Sequence, residues 1–154
     1  TGPGGRKRAR AGGVTIKGWL QVMQAVDAEL GKSKSADIAS IRASLSAGTK
    51  AVGECVDYIV ATSGTDIKAA FAGAVPFLRL MGIVCGGWQM ARAALVAEKK
   101  LAAGGGDAAF HKAKIATTRF YSDHLLVQAP GLAATMSKGS ASVMAVPGED
   151  MLAA

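Results

Sequence analysis

The residues of this chain that could do acid–base, metal or nucleophilic chemistry are few and scattered. The 154 residues include two histidines, two cysteines and eleven carboxylates. His111 and His124 lie thirteen positions apart with no carboxylate set to join them, and no Glu-x-x-His pair of a di-iron bundle occurs. A GxGxxG motif and a P-loop are both missing from the sequence. The sequence therefore predicts no catalytic, metal or cofactor-binding residue.

Polar residues in two helical segments are candidates for contact rather than for catalysis. Arg119, Tyr121 and His124 cluster near the end of a predicted helix, and we expect them at or near a contact with another domain or subunit. His124 falls on an apolar seam, which favours a hydrogen-bonded core or interface histidine over a catalytic base. Arg79 and Arg92 are separated by about 140° around a helix, so they do not form one anion site. An exposed or carboxylate-paired structural role is expected for Arg79.

The helix that must position Arg79 and Arg92 is predicted over residues 69–103, at the centre of the fold. It carries two apolar stripes with helical spacing, which indicates partners on more than one side. Pro76 either kinks this helix or starts its main segment. We expect Gly82 and Gly86 to allow close packing against small residues of the fourth helix. The first stripe is Phe77, Met81, Val84, Trp88, Ala91 and Leu95, and the second is Phe71, Val75, Leu78, Gly82 and Cys85.

Three further helices and short connections complete a predicted all-α, up-down four-helix bundle. The first helix is expected over residues 14–30, the second from an N-cap at Ser35 to about residue 61, and the fourth after a cap at Asp107. Thr65 or Asp66 is expected to cap the third helix. Each of these three helices has a predicted buried face. It comprises Ile16, Trp19, Met23, Val26 and Leu30 on the first helix; Ile38, Ile41, Leu45, Gly48, Val52, Val56 and Ile59 on the second; and Ala109, Ala113, Ala116, Phe120, His124 and Val127 on the fourth.

The chain divides into a basic arm at residues 1–13, a helical domain at 14–138 and a tail at 139–154. The net charge of +7 is concentrated at the start, where RKRAR precedes the first helix, so we expect a flexible arm. After Pro130 and Gly131, one or two more helical turns and then an irregular tail are expected. The apolar run between Arg79 and Arg92 is shorter than the roughly 20 residues of a membrane span.

The two cysteines and the start of the sequence provide evidence about the cellular compartment of the protein. Cys55 and Cys85 lie inside apolar helical patterns, which predicts buried free thiols in a reducing compartment. No apolar run follows the basic start, so no signal peptide is predicted and a cytoplasmic location is expected. The chain starts with threonine, and we expect it to be a piece of a longer protein.

Two blocks of sequence carry a resemblance to a known family. GAVPFLRLMGIVCGGWQMARAAL (73–95) and FHKAKIATTRFYSDHLLVQAPGL (110–132) are similar to the C-terminal helical domain of an acyl-CoA dehydrogenase branch. That branch includes the methylmercaptopropionyl-CoA dehydrogenases and has an extra domain after the usual dehydrogenase body. The resemblance covers about residues 12–147, while the arm at 1–11 matches poorly.

The resemblance implies a parent flavoenzyme that binds FAD and oxidises an acyl-CoA thioester at its α and β carbons. A glutamate would take the α-proton while the flavin N5 accepts a hydride, and both groups would belong to an upstream body. The chain alone is expected to be inactive, to pack against that body, and to take part in a homo-oligomer. It is expected to contact no membrane.

A second hypothesis comes from another class of protein. The RKRAR run could neutralise nucleic-acid phosphates, which would make the chain a stand-alone helical binding module. Four basic residues without interleaved aromatic side chains are a weak signal, and a solvated connector explains them as well. Nucleic-acid binding is therefore the alternative and not the preferred function.

Overall fold

The chain folds as a helical domain in the computed structural model, which describes residues 3–104, 106–143 and 145. Side chains are described from residue 11 onward. These residues contain no strand, which confirms the all-α prediction, but they form six helices and a 3₁₀ turn rather than four helices. The elements are α1 (Pro3–Leu30), α2 (Ala36–Thr62), α3 (Ile67–Ala72), α4 (Ala74–Ala102), α5 (Ala108–His124), the 3₁₀ turn (Leu126–Gln128) and α6 (Ala129–Val143).

Helix α1 begins earlier than the sequence predicted. Its backbone is helical from Pro3 and continuous through the segment that was expected to be an irregular arm. Proline suits the first helical position, and the alanines, arginines and lysine of RKRARA have high helix propensity, while the glycine pairs at 4–5 and 12–13 oppose a helix. A separate flexible arm at residues 1–13 is therefore not confirmed.

Side-chain caps begin three of the helices where the sequence predicted them. The Ser35 hydroxyl accepts a hydrogen bond from the Ile38 amide, and the Asp107 carboxylate accepts one from the amide of residue 110 at 3.1 Å. Of the two candidates before the third helix, Asp66 is the cap and accepts from the Ala69 amide at 3.0 Å. Each cap satisfies an amide that has no partner within its own helix.

The predicted central helix is two helices, separated at Gly73. Pro76 has no N–H to donate to the carbonyl of Ala72, four residues earlier, so α3 ends there. Pro76 then lies in the first turn of α4, where a missing N–H costs nothing. Of the two roles predicted for Pro76, the structure shows the second.

The C-terminal part of the chain is more helical than predicted. A 3₁₀ turn follows α5, and α6 then runs for 15 residues, in place of one or two expected turns. Pro130 is tolerated because it is the second residue of α6, where its amide would have no partner within the helix. Residues 144 and 146–154 of the predicted tail lie outside the described residues.

The core forms around α2 and α4, which together contact all the other helices. The seam predicted for α2 is confirmed, since every member is buried except the half-buried Ile59. The first stripe of α4 is also buried or half-buried. Trp19 is the exception on α1, because half of its surface is exposed.

Helix α5 buries a different face from the one predicted. Its predicted seam is exposed, and the core side instead carries Thr118 and Ser122. Thr118 Oγ1 donates to a carbonyl, either Lys114 O at 2.9 Å or Met90 O at 3.2 Å, and Ser122 Oγ donates to Thr118 O at 3.0 Å. Such bonds let small hydroxyl side chains pack in a core without an unsatisfied polar atom.

Candidate functional site

The most exposed apolar feature of the described chain is a row of three side chains on α3 and α4, here called the outer stripe. Phe71 is 71% exposed, Val75 78% and Leu78 74%. All three belong to the second predicted stripe, so the pattern correctly identified an apolar face. The described residues leave that face open to solvent.

Cations flank the outer stripe. Lys68 lies on α3 one turn before Phe71, and Arg79 directly follows Leu78. Among the described side chains, no carboxylate lies within 4 Å of either cation. Arg79 instead donates from Nη2 to Gln128 Oε1 at 3.4 Å. Of the roles predicted for Arg79, the structure therefore shows the exposed one.

Arg119 holds α5 against the start of α2. Its Nε donates to Asp123 at 2.7 Å and its Nη1 to Asp37 at 3.1 Å. The hydrogen bond that Arg119 donates to Asp123 is the main cause that raises the pKa of Arg119. Arg119 thus has partners within this chain, and an additional contact with another domain stays a prediction.

Tyr121 holds α5 against α4. Its hydroxyl donates to the carbonyl of Ile83 at 3.0 Å, and its ring lies over Gly86. Burial raises the pKa of Tyr121, so the phenol stays protonated and remains a donor at neutral pH. The position predicted for Tyr121 at an interdomain contact likewise stays a prediction.

His124 is an exposed residue, so the interpretation of it as a core histidine is wrong. Its ring stacks on Phe120 with centroids 4.2 Å apart, and its backbone carbonyl accepts from Gln128 Nε2 at 2.7 Å. Phe120 is 61% exposed. Of the three candidate contact residues, His124 is the most accessible to a partner, and that contact too stays a prediction.

The two glycines expected to pack against the fourth helix differ. A Cβ at Gly86 would lie 2.5 Å from Tyr121 Oη, so the close approach at Gly86 comes from a tyrosine and not from a small residue. A Cβ at Gly82 would have open space, so no described helix packs closely there and that prediction is wrong. On α4 a tight aliphatic contact occurs instead at Gly87, where a Cβ would lie 2.6 Å from Leu126 Cδ1.

An apolar cleft between α1 and α4 was missed by the sequence reasoning. Trp19 and Trp88 meet edge to face with centroids 5.8 Å apart, beside a cleft of about 290 Å³. Trp88 is buried, and its Nε1 has no hydrogen-bond partner among the described residues. Arg92 lies 5.2 Å from the Trp88 ring centre. The tryptophan spacing alone could not reveal this cross-helix pair.

Among the buried polar side-chain atoms that the structure describes, Trp88 Nε1 alone is left without a partner, which is too few to hold FAD. The hydroxyls of the buried polar residues Thr49, Thr118 and Ser122 all donate to backbone carbonyls of this chain. Desolvation raises the pKa of the buried Cys55 and half-buried Cys85 thiols, which keeps them protonated. No group of three metal-ligating side chains occurs among the described residues.

One helix of the described chain, α4, has the length and apolar composition that could cross a membrane. Core helices of globular proteins can have the same length and composition, and α4 packs on α1, α2, α5 and α6. This is weak support for a membrane span.

These features define a helical domain with an exposed apolar stripe on α3 and α4. Residues 19–147 match the family described as acetyl-CoA dehydrogenase C-terminal like, and the chain belongs to that family. It is 40% identical over 130 residues to the 3-methylmercaptopropionyl-CoA dehydrogenase of Ruegeria pomeroyi. That alignment covers 80% of this chain and 21% of the relative.

The chain thus spans about a fifth of the length of the relative that it matches. The resemblance to the C-terminal domain of an acyl-CoA dehydrogenase is confirmed. The alternative of a stand-alone nucleic-acid-binding module is not favoured by these matches, and the side chains of the RKRAR run lie outside the described ones.

Proposed function

We propose that this chain acts as the C-terminal domain of a larger, cytoplasmic, FAD-dependent acyl-CoA dehydrogenase. Its role is to pack against the catalytic body and to help fix the homo-oligomer. The observation that carries the proposal is the match of most of this chain to one fifth of a dehydrogenase. A domain with an intact core and an open apolar stripe is suited to such a packing role.

The chemistry of the parent enzyme belongs to its body. FAD, bound there, would accept the hydride when the acyl-CoA thioester is oxidised at its α and β carbons. No carboxylate of this chain is assigned as the base. Glu98 accepts a hydrogen bond from Ser33 Oγ at 2.5 Å, and the exposed Glu54 faces Lys50 at 3.9 Å.

The proposal is tested by comparing this chain with the full-length polypeptide that contains it. We expect full-length protein to show a flavin absorbance band and to reduce a dye with acyl-CoA, and the 154-residue chain to do neither. Deleting residues 14–143 should lower the oligomeric state in light scattering or lower the melting temperature. A colourless full-length protein, or a deletion that changes neither assembly nor stability, would contradict the proposal.

A further inference from the structure

We propose that the outer stripe of Phe71, Val75 and Leu78 is the surface on which this domain docks onto the catalytic body of the same polypeptide. The matching surface of the body is apolar and carries carboxylates at its rim. This inference rests on the proposed function and assigns a face to the packing that it requires.

The first argument is the concentration of apolar exposure. Single exposed apolar side chains are normal on protein surfaces. Here three large ones, each more than 70% exposed, follow one another at spacings of four and three residues across α3 and the first turns of α4. Leu80, two positions after Leu78 on the same helix, is completely buried. Three large apolar side chains exposed at helical spacing are typical of an interaction surface rather than of scattered exposure.

The second argument is charge. Lys68 and Arg79 flank the stripe, and neither lies within 4 Å of a carboxylate among the described side chains. Other cations of the described surface, for example Lys34 and Lys112, also lack such a partner, so what distinguishes Lys68 and Arg79 is their position beside the exposed stripe. A partner with carboxylates beside its apolar centre would complement both cations and fix the register of docking.

The third argument selects the body of the same polypeptide over a second copy of the domain. If each of the three side chains buried ~200 Å², the area of an aromatic side chain, the stripe would contribute about 600 Å² to an interface. A stable interface between separate molecules buries about 800 Å² on each partner. Covalent linkage supplies an effective concentration in the millimolar range, so a smaller surface suffices within one chain. The relative extends over nearly five times the aligned length, which provides such a linked partner.

Two other apolar surfaces are better covered within the described chain. Phe120 is stacked on His124, and Trp19 packs against Trp88. The outer stripe has no comparable ring partner in the described residues, so it gains most from an external one.

Cysteine labelling compares exposure of the stripe in the two contexts. Leu78→Cys is made in the 154-residue chain and in the full-length polypeptide, with Lys50→Cys on α2, an exposed polar position away from the stripe, as the matched control. A maleimide probe is added under native conditions, and peptide mass spectrometry separates the new site from Cys55 and Cys85. We expect Leu78→Cys to react at least tenfold more slowly in the full-length protein, and Lys50→Cys to react at the same rate in both.

Three results would overturn the inference. In the first, Leu78→Cys labels equally in both contexts while the full-length enzyme binds flavin and turns over acyl-CoA. The proposed function is then retained, but the stripe is not the docking surface. Protection that grows with concentration in the 154-residue chain identifies a second copy as the occupant. A full-length protein without flavin or activity rejects the proposed function, and the inference with it.

The charge argument has its own variant. Arg79→Glu in the full-length Leu78→Cys protein should place like charge against the body and speed labelling at least threefold, whereas Arg79→Lys should leave the rate within twofold. Equal rates for the two variants would overturn the assignment of carboxylates to the partner surface.

Discussion

Helix α2 and the outer stripe carry the same kind of apolar pattern and meet opposite environments. The α2 seam repeats at helical spacing, and α1, α4, α5 and α6 surround the helix that carries it. The outer stripe repeats at the same spacing, yet its three side chains are open. Periodicity therefore reveals that a face is apolar, while burial depends on whether its partner belongs to the same stretch of sequence.

The largest expected effect contrasts two leucines of α4. Leu80→Ala should destabilise the chain by about 2–5 kcal/mol, because Leu80 is completely buried and its removal leaves a cavity. Leu78→Ala should change the free energy of unfolding by less than about 0.5 kcal/mol, because Leu78 is exposed. Urea unfolding of both variants measures the contrast, and equal losses would show that Leu78 is already covered in this chain.

Two glycines of α4 allow the same comparison between a packed face and an open face. Gly87→Ala should cost about 1–3 kcal/mol, because the new methyl group would displace the buried Leu126. Gly82→Ala should instead stabilise the chain by up to about 1 kcal/mol, because the site has open space and alanine is the better helix former. Thermal unfolding gives the sign of each effect, and a destabilised Gly82→Ala variant would reveal a neighbour at the open face.

Neighbouring residues of α5 offer a smaller contrast. Tyr121→Phe should cost about 0.5–1.5 kcal/mol, since it removes the hydrogen bond that the Tyr121 hydroxyl donates to the Ile83 carbonyl. Phe120→Leu on the exposed face should stay within about 0.5 kcal/mol. Denaturant midpoints measure both variants, and a Tyr121→Phe midpoint equal to that of the unaltered chain would mean that water replaces the lost donor.

The smallest effect concerns the α1–α2 contact, where Asp27 pairs with Arg42 at 2.8 Å. The hydrogen bond from Arg42 lowers the pKa of Asp27, so the folded state binds its proton less readily than the unfolded state. The pair therefore stabilises the fold above the unfolded pKa of about 3.9, and this contribution is lost as the pH falls through the lower folded pKa. Because the pair is partly exposed, we expect a contribution below about 1 kcal/mol.

Asp27→Asn is the variant that isolates this contribution. Its stability should fall less than that of the unaltered chain between about pH 5 and pH 3, as followed by urea unfolding at each pH. Identical pH profiles would show that Asp27 titrates alike in the folded and unfolded states.

The comparison also explains how far the sequence could predict the fold. The α2 seam was correct because its buried residues are large and aliphatic, and the caps at Ser35, Asp66 and Asp107 were correct because side chains next to a helix act locally. The face of α5 was wrong because its core side carries Thr118 and Ser122, whose burial depends on carbonyl acceptors that a hydropathy pattern does not include.

The candidate site was less predictable than the fold. Arg119 and Tyr121 have partners on α2 and α4 that lie 82 and 38 positions away in sequence, so helical spacing could not assign their roles. The apolar character of the outer stripe was visible in the sequence. Its exposure was not, because it depends on which surfaces the neighbouring helices leave uncovered.

The break at Gly73 makes α3 dependent on α6. Six residues are too few to form a stable helix alone, so α3 persists through its contacts, of which those with α6 are the most extensive. Met136 of α6 fills the space above Gly73 so closely that a Cβ there would lie 2.6 Å from its Cγ. An opening of α6 should therefore also release α3 in hydrogen exchange, whereas α6 packs more extensively on α2 and α4 and can stay closed when α3 opens. Such an opening removes Phe71 from the stripe while α4 still presents Val75 and Leu78.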